Sequence, residues 1–334
     1  MEYFRTYKDY LKERFGFSVY RIGVDAGFSC PNRDKNRHGG CIYCDELGSS
    51  ASYARSEESG FTHESHFLKD PLLKTSPFAD LCIERRLSSI AQQIDRGKKF
   101  VTRRYKATNY SLYFQAYSNT FAPIAELKKI YDFALSKGDW REFIISTRPD
   151  CTSDSVIDFI CSYKNQVNDL WVELGLQSGS DRILTLMRRG HDVACYMDSA
   201  KRLKNNGLKL CTHIIIGYPS ETKEDLDLTI KAINESGTDA LKIHNLHITS
   251  QSALYNKFLE GEITTCSTSR HIQDTIYVLR RIKKDIIIQR LICETPEHRL
   301  ASPRFFDDKS RFLRKLKANM QELNAVQGDL CKKQ

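Results

Sequence analysis

No apolar run in this 334-residue chain approaches membrane-spanning length. The start, Met1-Glu-Tyr-Phe-Arg-Thr-Tyr-Lys-Asp-Tyr10, has neither a basic n-region nor an apolar h-region. The reading is therefore of a cytoplasmic protein with no membrane partner. There is no internal repeat, low-complexity tract or Pro/Gly-rich linker, which leaves one large domain with extensions as the economical organisation. Eleven cysteines, an odd number, are scattered from Cys30 to Cys331 without the spacing of a disulfide framework. A reducing compartment fits that pattern. Cys195 and Cys211 fall in apolar segments and are assigned to the core.

What the chain does have is three cysteines in one glycine-bearing loop, Cys30, Cys41 and Cys44, directly after the strand-like run Val19 to Val24. Three thiolates on a loop can hold three irons of a [4Fe-4S] cluster and leave the fourth iron open to a cofactor or substrate. Zinc is the rival, because a Cys-x2-Cys pair is common in zinc sites and a structural zinc wants four ligands. His38, His63 and His66 are the available fourth ligands, none at a recognisable spacing, and no second Cys-x2-Cys pair exists. The loop alone leaves both open.

The middle of the chain alternates apolar β-rich runs with amphipathic segments. Val19 to Val24, Tyr110 to Phe114, Glu142 to Ile145, Leu170 to Leu176, Leu210 to Ile216 and Ala240 to Ile243 read as six strands, several continuously apolar as buried parallel strands are. Between them, helices are predicted over Leu81 to Lys99, Pro123 to Ser136, Asp154 to Tyr163, Asp181 to Asn206 in two pieces broken at Gly190, and Lys223 to Glu235. Pro123, Ser153 and Ser220 are the start signals. Strand then helix, repeated, predicts parallel strands joined by right-handed crossovers. Polar, glycine-containing motifs follow the carboxyl end of nearly every strand, which is the logic of a barrel rather than of a doubly wound sheet with one switch point. The expected fold is an α/β, incomplete (β/α)6 TIM-like barrel over residues 19–250, with the cysteine loop at 25–48. An N-terminal extension (1–18) precedes it and a helical, basic C-terminal extension (251–334) follows. The polar segment Ser49 to Ala79 reads as a long excursion over the cysteine loop. Past Ser252 come helices, one apolar run from Ile286 to Ile292 and a basic amphipathic helix from Phe306 to Leu323.

The net charge of +9 is uneven. Glu84 to Lys106 holds eight Lys/Arg against two acids, and Arg281 to Gln334 thirteen against seven. Clustered cations can neutralise phosphates, and a solvated helix face looks the same in sequence.

In this order, Asp25-Ala-Gly-Phe-Ser-Cys30-Pro-Asn-Arg-Asp, Gly39-Gly-Cys41-Ile-Tyr-Cys44, Tyr113-Phe-Gln-Ala-Tyr-Ser-Asn119-Thr, Ile145-Ser-Thr-Arg-Pro-Asp150-Cys, Trp171-Val-Glu-Leu-Gly-Leu-Gln177, Arg189-Gly-His191-Asp and Lys242-Ile-His244-Asn-Leu-His247 resemble a radical S-adenosylmethionine (SAM) enzyme of the YhcC/YtqA type. That family is itself similar to the radical-SAM half of the Elongator catalytic subunit. It characteristically has the enlarged gap between its first two cysteines that Cys30 and Cys41 show here. The segment Ile292-Cys-Glu-Thr-Pro-Glu-His298 departs from the family pattern.

The resemblance implies that Cys30, Cys41 and Cys44 ligate a [4Fe-4S] cluster whose fourth iron is chelated by SAM. Tyr43 would lie against the adenine, and Gly217 would let the adenine approach backbone. Gln115, Ser118 and Asn119 would receive the SAM amino group, Arg148 would pair with its carboxylate and Glu173 would accept from its ribose. An acid within the apolar strand around Glu173 is costly unless it is paired or faces a site. His244 and His247, beside Lys242, are candidate substrate contacts, and His191 would cap the following helix or shape its loop. The implied reaction is reductive cleavage of SAM to a 5'-deoxyadenosyl radical, acting on the carbon-5 side chain of wobble uridine in tRNA and converting carboxymethylaminomethyl to aminomethyl uridine. A one-electron donor such as flavodoxin or ferredoxin is implied as a partner. A radical SAM enzyme acting on a small molecule or peptide, and a zinc-stabilised nucleic-acid-binding module, are the alternatives.

Overall fold

The computed structural model describes residues 2–33, 39–44, 83–295 and 297–332. Seven strands form one parallel sheet: β1 (Tyr20–Val24), β2 (Tyr110–Phe114), β3 (Trp140–Thr147), β4 (Asp169–Gln177), β5 (Lys209–Ile216), β6 (Ala240–Asn245) and, beyond a two-residue strand β7 (Ile248–Thr249), β8 (Ile287–Arg290). They lie in chain order, each hydrogen-bonded to the next, with β8 beside β6. The six expected strands are all present. The seventh comes from the apolar run assigned to the C-terminal extension, so that extension completes the sheet as well as adding helices.

Alternation along each strand explains why its sequence is apolar on one face and chemically mixed on the other. On β4, Leu170, Val172, Leu174 and Leu176 face the main core beneath the surrounding helices, while Trp171 belongs to a separate interior cluster with Ile144, Cys211 and Ala240. The covering helices are α2 (Ile83–Tyr105), α3 (Ile124–Leu135), α4 (Asp154–Cys161), α5 (Asp181–Leu186), α6 (Val193–Asn205) and α7 (Lys223–Glu235). The capping residues refine the sequence reading. Pro123 is the N-cap of α3 itself, and Ser153 caps α4 by position without a side-chain bond. The helix expected to open at Ser220 is capped by Thr222, in a reciprocal box with Asp225, because Ser220 lies in a turn at φ +68°.

The amino-terminal helix α1 (Tyr7–Phe15) closes one end of the barrel. A Thr6/Asp9 capping box starts it and left-handed Gly16 ends it. Tyr7 donates to Glu142 at 2.5 Å, Tyr10 donates to Asp169, and both rings meet Trp171 edge-on at 6.5 and 5.7 Å. The gap between β1 and β8 is spanned by Arg21 donating to Gln289 at 2.6 Å and by a parallel bridge from Thr6 to Ile288.

The tail adds α8 (Leu254–Leu259), α9 (Thr268–Arg281), strand β9 (Leu300–Ser302), which pairs antiparallel with β7, and α10 (Lys309–Glu322). Helix α10 buries Phe312, Leu316 and Met320 at helical spacing and leaves Arg311, Arg314, Lys315 and Lys317 in water. No described helix is long and apolar enough to cross a membrane. Cys211 is fully buried as expected, whereas Cys195 is only partly buried, on the first turn of α6. Cys82, the excursion at 49–79 and the three histidines considered for zinc lie outside the described residues.

Candidate radical and cofactor site

At the carboxyl ends of the strands lies a cavity of about 320 Å³ whose wall includes Cys30, Cys41 and Cys44. The loop carrying them is held at several points. Arg33 and Gly39 form an antiparallel bridge, so the enlarged Cys30 to Cys41 gap leaves and returns at adjacent backbone positions. Gly39 and Gly40 are both left-handed, at φ +83° and +89°. A Cβ on Gly40 would stand 3.2 Å from Arg33, which crosses there on its way to Cys44. Ile42 N–H donates to the Met187 carbonyl at 3.0 Å, Leu254 N–H donates to the Ile42 carbonyl at 3.1 Å, and the Ile42 side chain packs into a small core with Ile183 and Ile215.

Nitrogen donors surround the sulfurs. Arg189 and Asn32 each reach Cys41 Sγ at 3.5 Å, and Arg33 reaches Cys44 Sγ at 3.5 Å. Burial opposes ionisation of Cys41, but the Arg189 guanidinium outweighs it and brings the thiol below its ordinary value. For Cys44 burial wins over Arg33 and pushes the thiol up to about 11.

The spacing of the thiols separates the two sequence readings. Zinc–sulfur bonds of ~2.3 Å keep any two sulfurs on one zinc within about 4.6 Å. Among the described residues, only Glu173, Cys211 and His213 form a trio of ligating atoms mutually within 4.8 Å, so the three loop thiols are spread more widely than one ion allows. A polynuclear cluster suits that spread. The Glu173 trio is itself no metal site, since the Lys242 ammonium already sits 2.5 Å from the Glu173 carboxylate.

Of the other expected contacts, Tyr43, Gln115, Arg148, His244 and His247 line the cavity. Arg148 is already engaged: its guanidinium is bidentate on Asp150 at 2.8 and 2.7 Å and donates to the Arg189 carbonyl at 2.9 Å. His247 is held between Asn245 at 2.8 Å and Thr295 at 2.7 Å. Five expected contacts are not on the cavity wall. Asn119 is buried and donates to the Ala116 and Ser146 carbonyls, bracing the loop after β2, and Ser118 is buried beside it. In that loop Ala116 and Tyr117 have left-handed backbones, and Tyr117 reaches the wall instead. Gly217, at φ +83°, abuts Cys266, whose sulfur a Cβ would meet at 2.7 Å.

Glu173 and Lys242 lie one layer deeper, inside the barrel. Glu173 is fully buried, with Lys242 at 2.5 Å, His213 at 2.9 Å and Arg21 at 3.5 Å. Burial would raise its pKa; the charges of Lys242 and Arg21 and the His213 hydrogen bond hold it well below the carboxylate range. Burial lowers Lys242 to about 7 and His213 to about 4. Inward-facing parity explains the placement: on β6, Lys242 and His244 point the same way, and only His244 is far enough along to touch the cavity.

Sequence reasoning missed Arg189, Gly175, Gln177, His213, Arg290 and Cys293, all on the wall. Strand parity could have found Gly175, Gln177 and His213. A Cβ on Gly175 would strike Arg189 and Gln177 at 2.5 Å, so its glycine is a matter of space. His191, two residues after Arg189, bonds the Gly175 carbonyl at 3.2 Å; the helix cap is Asp192.

A family model of the radical SAM superfamily matches residues 37–233, and one of the radical SAM C-terminal domain matches 238–322. The chain is similar to protein YhcC of Escherichia coli strain K12, at 31% identity over 90% of this chain and 86% of that one. It is also similar to YtqA of Bacillus subtilis strain 168, at 28% identity over 97% of this chain and 92% of that one. Among solved structures it resembles the archaeal Methanocaldococcus infernus Elp3 lacking its N-terminus, with a TM-score of 0.61 and 19% identity, covering 72% of this chain and 60% of that one. That last likeness concerns the fold.

Proposed function

The chain belongs to the radical SAM superfamily, in the family of YhcC and YtqA, and from that premise we propose that it modifies the carbon-5 side chain of wobble uridine in tRNA, converting carboxymethylaminomethyl to aminomethyl uridine. Enzymes of this superfamily bind a [4Fe-4S] cluster and SAM. Together these would supply reductive cleavage of SAM and abstraction of a hydrogen atom from the methylene of the carboxymethyl arm; in balance SAM is the two-electron oxidant, water breaks the carbon–nitrogen bond of the oxidised arm, and the arm leaves as glyoxylate while methionine and 5'-deoxyadenosine are released.

The observation that carries the reading is the three-thiol mouth of the cavity. Cys30, Cys41 and Cys44 would hold the cluster, and the guanidinium groups on Cys41 and Cys44 would balance its negative charge. Tyr43, Gln115, Tyr117 and Gln177 line the space for SAM, and the missing side chain at Gly175 keeps that wall low. His213 and His244, both held neutral chiefly by burial, form a floor that does not compete for protons. A one-electron donor such as flavodoxin or ferredoxin feeds the site.

The RNA part of the reading is supported by solvated cations. In the first basic stretch Arg86 is buried on Glu126 and the Ala26 carbonyl, and Lys98 donates to the Lys137 carbonyl, so these two are structural. Arg85, Lys99, Arg103, Arg104 and Lys106 remain in water, as do the cations of α10. Phe305, 99% exposed just before α10, offers an aromatic face to an unstacked base.

Nucleoside mass spectrometry of tRNA from a deletion strain is expected to show carboxymethylaminomethyl uridine accumulating at the expense of its aminomethyl product. Unchanged nucleosides would hand the site to a small-molecule or peptide substrate. The affinity for tRNA is expected to fall steeply with salt. Reversing the charge of Arg103, Arg104 and Arg314 together should flatten that slope by about three phosphate equivalents. A slope that does not move returns both faces to plain solvation.

A further inference from the structure

Five arginines and one carboxylate, Glu294, line the cavity, an imbalance that calls for an anionic occupant. Four of the arginines are engaged: Arg33 on Cys44, Arg189 on Cys41, Arg148 on Asp150, and Arg299, which has partners of its own. Arg290 is different. It stands at the end of β8, in register with Lys242 of β6, and forms no hydrogen bond or ion pair among the described residues. On the same cavity wall is His244, whose Nε2 is buried with no hydrogen-bond partner, a costly state unless a ligand completes it. His244 stands two residues beyond Lys242 on β6, on the same side of the strand, so it and Arg290 meet the cavity from adjacent strands. His213, 5.3 Å from the His244 ring, is fixed by Glu173 and backs it from below.

We propose that Arg290 and His244 form the subsite for a carboxylate on the substrate, adjacent to the carbon that loses its hydrogen. The inference rests on the wobble-uridine reading, in which the carboxymethyl arm carries that group. A guanidinium offers a carboxylate two parallel N–H donors, and the neutral His244 ring can add a third through Nε2. The arm is thereby held by its charged end, with its methylene kept inside the cavity. Backbone phosphates of the RNA meet the exposed cations of the helix faces instead.

The test uses the cluster- and SAM-loaded enzyme and three anticodon stem-loops, carrying carboxymethylaminomethyl uridine, its neutral methyl ester, or aminomethyl uridine. The wild type is expected to bind the carboxylate form at least about tenfold more tightly than the ester, as a charge-assisted pair in a cavity should. Arg290→Gln is expected to bind the two alike, and Arg290→Lys to keep part of the preference, having a charge but no fork. His244→Phe should weaken the carboxylate form alone. If Arg290→Gln keeps the full wild-type preference, the subsite is elsewhere and the proposal is overturned. It is equally overturned if Arg290→Gln weakens SAM itself, since the carboxylate held is then that of SAM. In both cases the wild type still converts the carboxylated stem-loop; an enzyme that neither retains nor converts it marks failure of the wobble-uridine reading itself.

Discussion

Replacing any one of Cys30, Cys41 or Cys44 with alanine is expected to leave a folded protein that no longer holds four irons and no longer cleaves SAM. Anaerobic reconstitution of the wild type should give about four irons per chain, since three thiolates leave one open iron on a four-iron cluster. The fold should survive each change for identifiable reasons. Cys30 and Cys44 are only partly buried, and the loop is fastened through Ile42, the Arg33–Gly39 bridge and Asn32, which donates to the Arg188 carbonyl at 2.7 Å. Circular dichroism of the three variants should therefore match the wild type while iron, sulfide and the visible absorption are lost. Cys195→Ala, on the first turn of α6 and not on the wall of the cavity, is the control and should keep all four irons. Full iron content in all three loop variants would remove the cluster from this site. The loss of activity should be complete, because without the open iron nothing chelates SAM in a position to be cleaved.

The fold was legible because its signals were redundant. Continuously apolar strands, amphipathic helical stretches and polar loops at nearly every carboxyl end pointed to one architecture, and element boundaries moved by about six residues at most. The seventh strand was harder. Ile287–Arg290 is four residues long and far in sequence from its partner β6, and nothing in a short apolar run says which edge it will join. At the site, the cysteines were legible because their chemistry is local to one loop. Their supporting groups were not, because Arg189 reaches Cys41 from 148 positions away and Arg290 reaches the cavity from β8. Glu173 shows the limit most clearly. The cost of an acid in an apolar strand correctly demanded a partner, yet sequence could not decide between a ligand in the cavity and Lys242 one layer below.

Glu173→Gln is expected to destabilise the protein by about 3 kcal/mol or more, since removing one member of a buried charge cluster leaves the others uncompensated. Arg21 cannot release its proton and lies with its guanidinium 4.4 Å from the Tyr7 ring, so it bears the penalty. Lys242, already lowered to about 7 by burial, can shed its proton and soften the loss. The sign with pH follows from the depressed carboxyl of Glu173. A group whose folded pKa lies below its unfolded value of about 4.3 stabilises above that value, and the stabilisation is lost as pH falls through the carboxylate range. The gap between wild type and Glu173→Gln in urea melts should thus be widest near neutrality and narrow below about pH 4. SAM affinity, measured on the folded variant, should change far less than stability, because Glu173 lies beneath the floor formed by His213 rather than on the cavity wall. The opposite pattern, an unmoved urea midpoint with SAM binding weakened about tenfold, is what loss of a charged hydrogen bond to ribose would give. It would make Glu173 a ligand group and would require the barrel interior to open toward the cavity when SAM binds.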